Sequence, residues 1–401
     1  MSIPEVPHDI IYLILDDLCE DLHALAACAL AARSFRAYAQ KRLYTTIAIE
    51  LCSWKSHITR DSVRELSDIF ITNPLLKSHV RHLVLLLHQY GEGRKRSLLI
   101  LHTLPQLRRL TVKPSRWYPM AYWDSFSRSL RNDICMLMMS PTVVDVSVIA
   151  ISRFPASCLV GCPQLKGITW STSSDQDVPK TKSVLRFSTD LPTPDGRLRH
   201  ITSQATTLGQ IIEAVSVSQP HPRLTLNHLG QLNVEIWSQA EILIFQSTLK
   251  LCAGSLKTLD VTLSKFPGHS YFRFFELETM HSLQSLSINL IRWSMETIIA
   301  WLQHFLSSRT SPTSTLLENF SLSLPINIDV TLWQHLDCIL VQAGHLSNAH
   351  IELRLSSIII SVFMAKLLSL GTQSPLITIE TLCLYCVDNS TVFFKVISHL
   401  R

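Results

Sequence analysis

Cys383 and Cys386 are the one pair of residues in the chain whose types and spacing match a metal or redox site. They lie in an alternating, β-like segment, where residues three apart point to opposite faces of a strand. No second pair of Cys or His residues follows at the distance that a zinc finger needs. The sequence therefore predicts no metal site.

Catalytic motifs are absent from the sequence. There is no G-x-S-x-G nucleophile turn, no H-E-x-x-H zinc helix and no G-x-x-x-x-G-K phosphate loop. Gly91-Glu92-Gly93 lacks the third glycine that a dinucleotide-binding turn needs. We expect a protein that is not an enzyme and binds no cofactor. An enzyme of a closed α/β class, with a site that these motifs do not describe, is the weaker alternative.

Composition excludes several other classes of protein. Of the 401 residues, 47% are hydrophobic and 17% are charged, so the chain can bury a large core and is not disordered over most of its length. A net charge of +5 is too small to predict a nucleic-acid or membrane partner. No apolar run is long enough to span a bilayer, and the N-terminus lacks a secretory signal. We expect a reducing compartment, either the cytoplasm or the nucleus.

From residue 80 onward the chain repeats a helical stretch followed by apolar residues at positions i, i+3, i+5 and i+7, which predicts one short strand per repeat. These strand patterns start at Val80, Leu107, Val143, Leu165, Leu229, Leu256, Leu283, Leu317, Leu346 and Ile379. Apart from the gap between Leu165 and Leu229, each start follows the previous one within the range of periods that is typical of repeat proteins.

One repeat can be followed from end to end. Ser238 and Glu241 form a capping box at the start of a helix, and Gly254 follows the end of that helix, just before the strand pattern at Leu256. A helix between successive strands implies that the strands are parallel. The fold class is therefore α/β, and the prediction for residues 80–401 is a leucine-rich-repeat-like solenoid of alternating helices and short parallel strands. A closed α/β domain or barrel is the alternative.

One long interval breaks this rhythm, and a second long interval carries an aromatic cluster. The interval from Leu165 to Leu229 has room for two repeats, and it contains a predicted exposed loop at 171–183 and a degraded repeat around Leu198 and Ile201. The second interval, from Leu107 to Val143, carries aromatic residues that we expect to pack over the convex side, with a binding projection as the alternative. These aromatic residues are Trp117, Tyr118, Tyr122 and Trp123.

The first 45 residues predict three short helices with apolar faces. Pro7 suits the first position of a helix, and Asp9 favours the positive end of the helix dipole. The apolar stripe of this first helix consists of Ile10, Ile11, Ile14, Leu15 and Leu18. Three such helices cannot bury their apolar faces alone, so the sequence predicts that they need a partner surface.

The segment from Val6 to Tyr44 resembles an F-box, especially those of filamentous fungi. The residues that carry the resemblance are Val6-Pro7, Asp9-Ile10, Ile14, Leu18, Asp21-Leu22, Leu25, Ala31-Ala32-Arg33-Ser34-Phe35-Arg36 and Leu43-Tyr44. The segment departs from the family where Val6 replaces Leu, Asp9 replaces Glu, Ala31-Ala32 replaces Val-Cys and Phe35 replaces Trp. The region behind it resembles the degenerate leucine-rich repeats that follow many F-boxes.

This resemblance implies that the N-terminal helices dock the adaptor subunit of a cullin-RING (SCF-type) ubiquitin ligase, while the repeats bind a target protein. The chain would then consist of an F-box-like module at 1–48, a helical linker at 49–79 and the repeats at 80–401. The implied adaptor-binding residues are Pro7, Ile10, Ile14, Leu18, Leu22, Leu25 and Phe35. The alternative is a repeat scaffold whose first helices are an ordinary end cap, without a role in a ubiquitin ligase.

Strand residues that alternate with the core positions must line the opposite face of each strand. This face is polar and mostly uncharged, which suits recognition of a protein segment by hydrogen bonds with a few aromatic or charged anchors. The candidate target-binding residues on or beside it are Arg109, Lys113, Trp237, Asp260, Asn289, His350 and Arg354. For any single residue among these, polarity that serves solubility alone is the alternative.

Overall fold

In a computed structural model of the chain, the structure describes residues 7–18, 20–51, 62–88, 99–116, 118–172, 197–217, 225–264, 280–291, 298–300, 302–303, 317–324, 335, 338–339, 350–355, 381–387 and 391–398. The chain forms two compact units. Unit 1 consists of Met1–Gly196 and Ser218–Leu224, and unit 2 consists of Arg197–Val217 and Thr225–Arg401. The domain boundaries that the sequence predicts at residues 48 and 79 stay predictions.

Unit 1 begins with three short helices, α1 (His8–Asp17), α2 (Leu22–Ala31) and α3 (Arg33–Leu43). The carbonyl of Pro7 accepts the first two helical hydrogen bonds of α1, from the amides of Ile10 and Ile11. The side chain of Asp21 caps α2 by accepting from the amides of His23 and Ala24, at 3.0 and 2.9 Å.

A parallel sheet follows in unit 1, and its strands are adjacent in chain order. Its strands are β1 (Thr46–Leu51), β2 (His82–Leu87), β3 (Arg109–Pro114), β5 (Asp145–Ile149) and β7 (Gly167–Ser171), while β4 (Ala121–Tyr122) pairs with β6 (Ile151–Ser152). The connections contain α4 (Ser62–Thr72), α5 (Leu99–His102), α6 (Arg128–Met138) and α7 (Ala156–Val160), with 3-10 turns at Pro74–His79 and Trp123–Ser125. Unit 1 is therefore an α/β structure with a helix in each crossover.

Unit 2 has the same alternation at its start. Its parallel strands are β8 (His200–Gln204), β9 (Gln231–Ile236), β10 (Thr258–Ser264), β11 (Ser285–Ile291), β12 (Asn319–Leu324) and β13 (His350–Leu355). Helices α8 (Ala205–Val217) and α9 (Gln239–Cys252) lie in the first two connections. The predicted capping box of Ser238 and Glu241 is present at the start of α9. β8 is a strand at the place where the sequence predicts a degraded repeat, around Leu198 and Ile201.

The end of the sheet in unit 2 differs from the prediction. β14 (Thr381–Val387) contains the pattern that starts at Ile379, but it pairs antiparallel with β15 (Thr391–Ser398), and β15 pairs antiparallel with β13. The prediction of one more parallel strand is therefore wrong here. The short connection between Val387 and Thr391 is long enough for a hairpin and too short for a parallel crossover.

A repeated hydrogen-bond motif at the strand starts explains the i, i+3, i+5, i+7 pattern. The carbonyl of Arg81 accepts from two successive amides of the next strand start, Arg108 and Arg109, at 2.8 and 2.9 Å. In unit 2, the carbonyl of Gly230 binds the amides of Lys257 and Thr258 in the same way, at 2.8 and 2.9 Å. At these strand starts, one carbonyl thus accepts from the amides of residues i+1 and i+2, and residues i+3, i+5 and i+7 then enter the core.

β1 and the aromatic cluster of unit 1 differ in how far the sequence predicts them. β1 is not among the strands predicted from the sequence. Tyr44, Ile47, Ile49 and Leu51 fit the strand pattern, but Tyr44 also fits the end of the third helix. Of the aromatic cluster, Trp123 is buried and packs edge-on against Phe154 at 4.8 Å between ring centroids. Trp117 and most of the loop predicted at 171–183 lie outside the described residues.

Candidate interaction surfaces

The N-terminal helices pack around a small apolar core of their own. Ile11 and Leu15 on one face of α1 contact Leu25 of α2, and all three side chains are buried. The partly buried residues packed against this core are Leu18, Cys28, Phe35, Tyr38 and Leu43. The inward face of α1 is therefore used within the chain.

A second apolar face of α1 is exposed. Ile10, Leu13 and Ile14 have exposed fractions of 49%, 66% and 51%. Their i, i+3, i+4 spacing places them on one side of the helix. We call these three residues the outer face of α1. On α2, Leu22 and Leu30 are also exposed, at 59% and 83%, and their i, i+8 spacing again puts them on one side.

The residues that the resemblance assigns to adaptor binding therefore occupy different environments. Pro7, Ile10, Ile14 and Leu22 are exposed, and Leu18 and Phe35 are half-buried against the helical core. Leu25 is fully buried and is not accessible to a partner in this structure. The broad apolar stripe of α1 is thus divided into an inward and an outward face. The exposed Leu13 and Leu30 are not among the adaptor-binding residues that the resemblance implies. The extra apolar position at Leu13 is the signal in the sequence for a second face.

A polar cluster ties α1 to α3. The Tyr38 hydroxyl donates to the Asp16 carboxylate, and the Arg42 guanidinium donates to both Tyr38 (2.9 Å to the hydroxyl) and Asp16. The hydrogen bond from Tyr38, followed by the contacts of Arg42, holds the pKa of Asp16 below its ordinary value. The same bond to Asp16, followed by burial, raises the pKa of the Tyr38 hydroxyl. The ring of Tyr12 stacks on Tyr38 at 4.6 Å between centroids, which further fixes α1.

The polar face of the strands in unit 2 forms rows across the sheet. Asn233, Asp260 and Ser287 occupy one row on β9, β10 and β11, and Glu235, Thr262 and Asn289 occupy the next row. Of the predicted target-binding residues, Asp260 and Asn289 are half-buried between neighbouring strands, and Trp237 lies beyond the end of β9 with 39% of its surface exposed. His350 and Arg354 belong to β13, but their side chains lie outside the described part of the structure.

Unit 1 carries more charge on the corresponding face. Arg109 is exposed, and its guanidinium lies 3.9 Å from the carboxylate of Asp145 on the next strand. His82, on the other side of Arg109, shares a hydrogen bond of 2.9 Å with the Thr111 hydroxyl. Burial, together with the nearby charges of Arg109 and Lys113, lowers the pKa of His82. Arg109 and Lys113, both predicted from the sequence, lie on the same face of β3, and the pairing of β2 with β3 places the neutral His82 beside Arg109.

Burial raises the pKa of the Cys162 and Cys252 thiols. Cys158, Cys162 and Cys252 are buried, and burial raises the pKa of Cys252 to about 12. Cys383 and Cys386 lie on β14, with side chains outside the described set. Among the described residues, no three His, Cys, Asp or Glu side chains are close enough together to hold a metal ion.

No helix in the described ranges has the length and apolar character needed to cross a bilayer. No protein-family model matches the chain, and no curated protein matches it.

Proposed function

We propose that the chain is a non-enzymatic substrate receptor of an SCF-type cullin-RING ubiquitin ligase, which works in the cytoplasm or the nucleus. In this proposal α1–α3 form an F-box-like module that binds the adaptor subunit. The observation that carries it is the outer face of α1, where three large aliphatic side chains remain 49–66% exposed on a helix that already has a packed inner face. Clustered exposed apolar side chains of this kind mark protein interaction sites.

The helical core supports this proposal by holding α1 in place. Because Ile11, Leu15 and Leu25 are buried together, and because Asp16, Tyr38 and Arg42 join α1 to α3, the outer face is presented on a fixed support. A partner would then bury Ile10, Leu13 and Ile14 without first ordering them. We therefore assign adaptor binding to the outer face and to Leu22, and not to Leu25.

We also propose that the stacked parallel strands of each unit, without β14 and β15, are rungs of leucine-rich-repeat-like solenoid segments. The supporting observation is the repeated motif in which one carbonyl accepts two amides of the next strand start, in unit 1 at Arg81 and Arg108 and in unit 2 at Gly230 and Lys257. A motif that recurs from rung to rung is what a stacked repeat requires. The polar strand faces would bind the target protein.

A repeat scaffold without a ligase role is the second candidate. It is favoured by the direct continuity between the helices and the sheet, since the Thr45 carbonyl, just after the end of α3, accepts the amides of Arg81 and His82 at 2.9 Å. The helices would then be an end cap of the first rung.

Adaptor capture by the full chain separates the two candidates. We expect the wild type to retain the adaptor in a pull-down, and an Ile10→Ser/Leu13→Ser variant to lose at least about tenfold in affinity, because two apolar contacts are removed. The matched control is Ile69→Ser/Ile71→Ser on α4, where the side chains are 39% and 68% exposed. Equal loss in both variants, or no capture by the wild type, would favour the scaffold.

A further inference from the structure

Basic residues recur where the strands of unit 1 begin. The amide of Arg108 bonds to the carbonyl of Arg81 at 2.8 Å, that of Val144 to Arg108 at 2.8 Å, and that of Lys166 to Val144 at 2.7 Å. Arg81, Arg108 and Lys166 therefore hold equivalent positions on strands about 4.8 Å apart per step. Arg109 follows directly, and we call these four residues the basic strand edge.

Negative charge is sparse around this edge. The segments 77–82, 106–113, 142–147 and 164–169 contain six Lys or Arg residues and a single carboxylate, Asp145. Arg108, Arg109 and Lys166 are exposed to solvent. Burial, followed by the positive charges of Lys41 and Arg81, lowers the pKa of His79. Burial, followed by the positive charges of Arg109 and Lys113, lowers the pKa of His82.

We propose that the basic strand edge binds an extended, glutamate- or aspartate-rich segment of a partner protein. From β2 to β7 the edge spans three strand steps, about 14 Å, which matches about four or five residues of extended peptide. The half-buried Thr169 on the adjoining strand face has a hydroxyl group that can bind the peptide backbone. The proposed target is thus an acidic protein segment. That the segment is a ligase target rests on the proposed function.

A nucleic-acid partner fits the edge less well. The turns that lead into these strands, at 73–82, 103–109, 139–145 and 161–167, contain no Phe, Tyr or Trp on which a base could stack. Four positive side chains can also contact only a few phosphates of a nucleic-acid strand.

The test uses the full chain and a fluorescent dodecapeptide of alternating Glu and Thr, titrated at about 150 mM salt to screen non-specific attraction. We expect Arg108→Glu/Lys166→Glu to weaken peptide binding by about 25-fold, near fivefold for each reversed exposed charge. The matched control is Lys257→Glu, because Lys257 holds the equivalent position before β10 in unit 2. The control should bind like the wild type.

Three results would overturn the inference: no binding by the wild type, equal loss in the Lys257→Glu control, or tighter binding of a dodecauridine RNA than of the peptide. A circular dichroism spectrum like that of the wild type shows that each variant is folded. Adaptor capture is measured on the same variants, and we expect the reversals on the basic strand edge to leave it unchanged. A wild type that captures the adaptor but not the peptide would reject this inference alone, whereas one that binds the peptide but not the adaptor would reject the proposed function.

Discussion

Leu25 and Leu13 give opposite predictions although both are aliphatic residues of the N-terminal helices. Leu25 is completely buried against Ile11 and Leu15, whereas 66% of Leu13 is exposed. Truncation of Leu25 to Ala removes the equivalent of three methylene groups, or about 2.4 kcal/mol of transfer free energy, and leaves a cavity that adds to the loss. We therefore expect Leu25→Ala to lower the stability of the three-helix core by about 3 kcal/mol, and Leu13→Ala by less than about 0.5 kcal/mol.

Hydrogen exchange on the full chain measures this difference locally, which matters because a chain of two compact units is not expected to unfold in one step. For Leu25→Ala, amides of α1–α3 should exchange about 100-fold faster, since each step of about 1.4 kcal/mol is a factor of ten. Amides of α9 in unit 2 serve as the internal reference and should be unchanged. Protection of α1–α3 that survives Leu25→Ala, or that falls equally in Leu13→Ala, would refute the division of α1 and α2 into inner and outer faces.

Three other changes test separate contacts. Asp16→Asn should weaken the docking of α1 on α3 at pH 7. Because the pKa of Asp16 in the folded chain is below its ordinary 3.8, the higher melting temperature of the wild type should be lost as the pH falls below 3.8 and through the folded pKa. Glu241→Ala removes the acceptor of the Trp237 amide at 2.6 Å and should cost about 1 kcal/mol, seen as faster exchange in the first turn of α9. Ala150→Gly should stabilise unit 1 by about 0.5–1 kcal/mol in urea unfolding, because Ala150 has φ of 52°.

The strands were predictable because one strand face enters the core and every second residue must then be apolar. This pattern located the buried residues of β2, such as Leu83 and Leu85, and also β8, where Ser203 takes a core position. The pattern carries no information on which strand is the neighbour, so the antiparallel insertion of β15 could not be predicted from it. β1 fits the pattern but is not among the predicted strands, since Tyr44 fits both the end of a helix and the start of a strand.

The candidate surfaces were harder to predict because both depend on what lies next to a residue in space. The basic strand edge joins residues from separate repeats, which lie far apart in the sequence. Only their hydrogen-bond register shows that Arg81, Arg108 and Lys166 belong to one row across the strands, with Val144 between Arg108 and Lys166. A signal was present in the sequence: the segments Pro105-Gln106-Leu107-Arg108 and Pro163-Gln164-Leu165-Lys166 repeat the same order, with a basic residue after the buried leucine.

The two faces of α1 also decide which variants can test the proposed function. A substitution at Leu25 is expected to weaken any binding through these helices, whatever its role, because it loosens the core on which the outer face depends. Binding lost in that variant therefore cannot distinguish a receptor from an end cap. Ile10 and Leu13 can, because their removal leaves the packing of Ile11 and Leu15 intact and changes only the surface that an adaptor would cover.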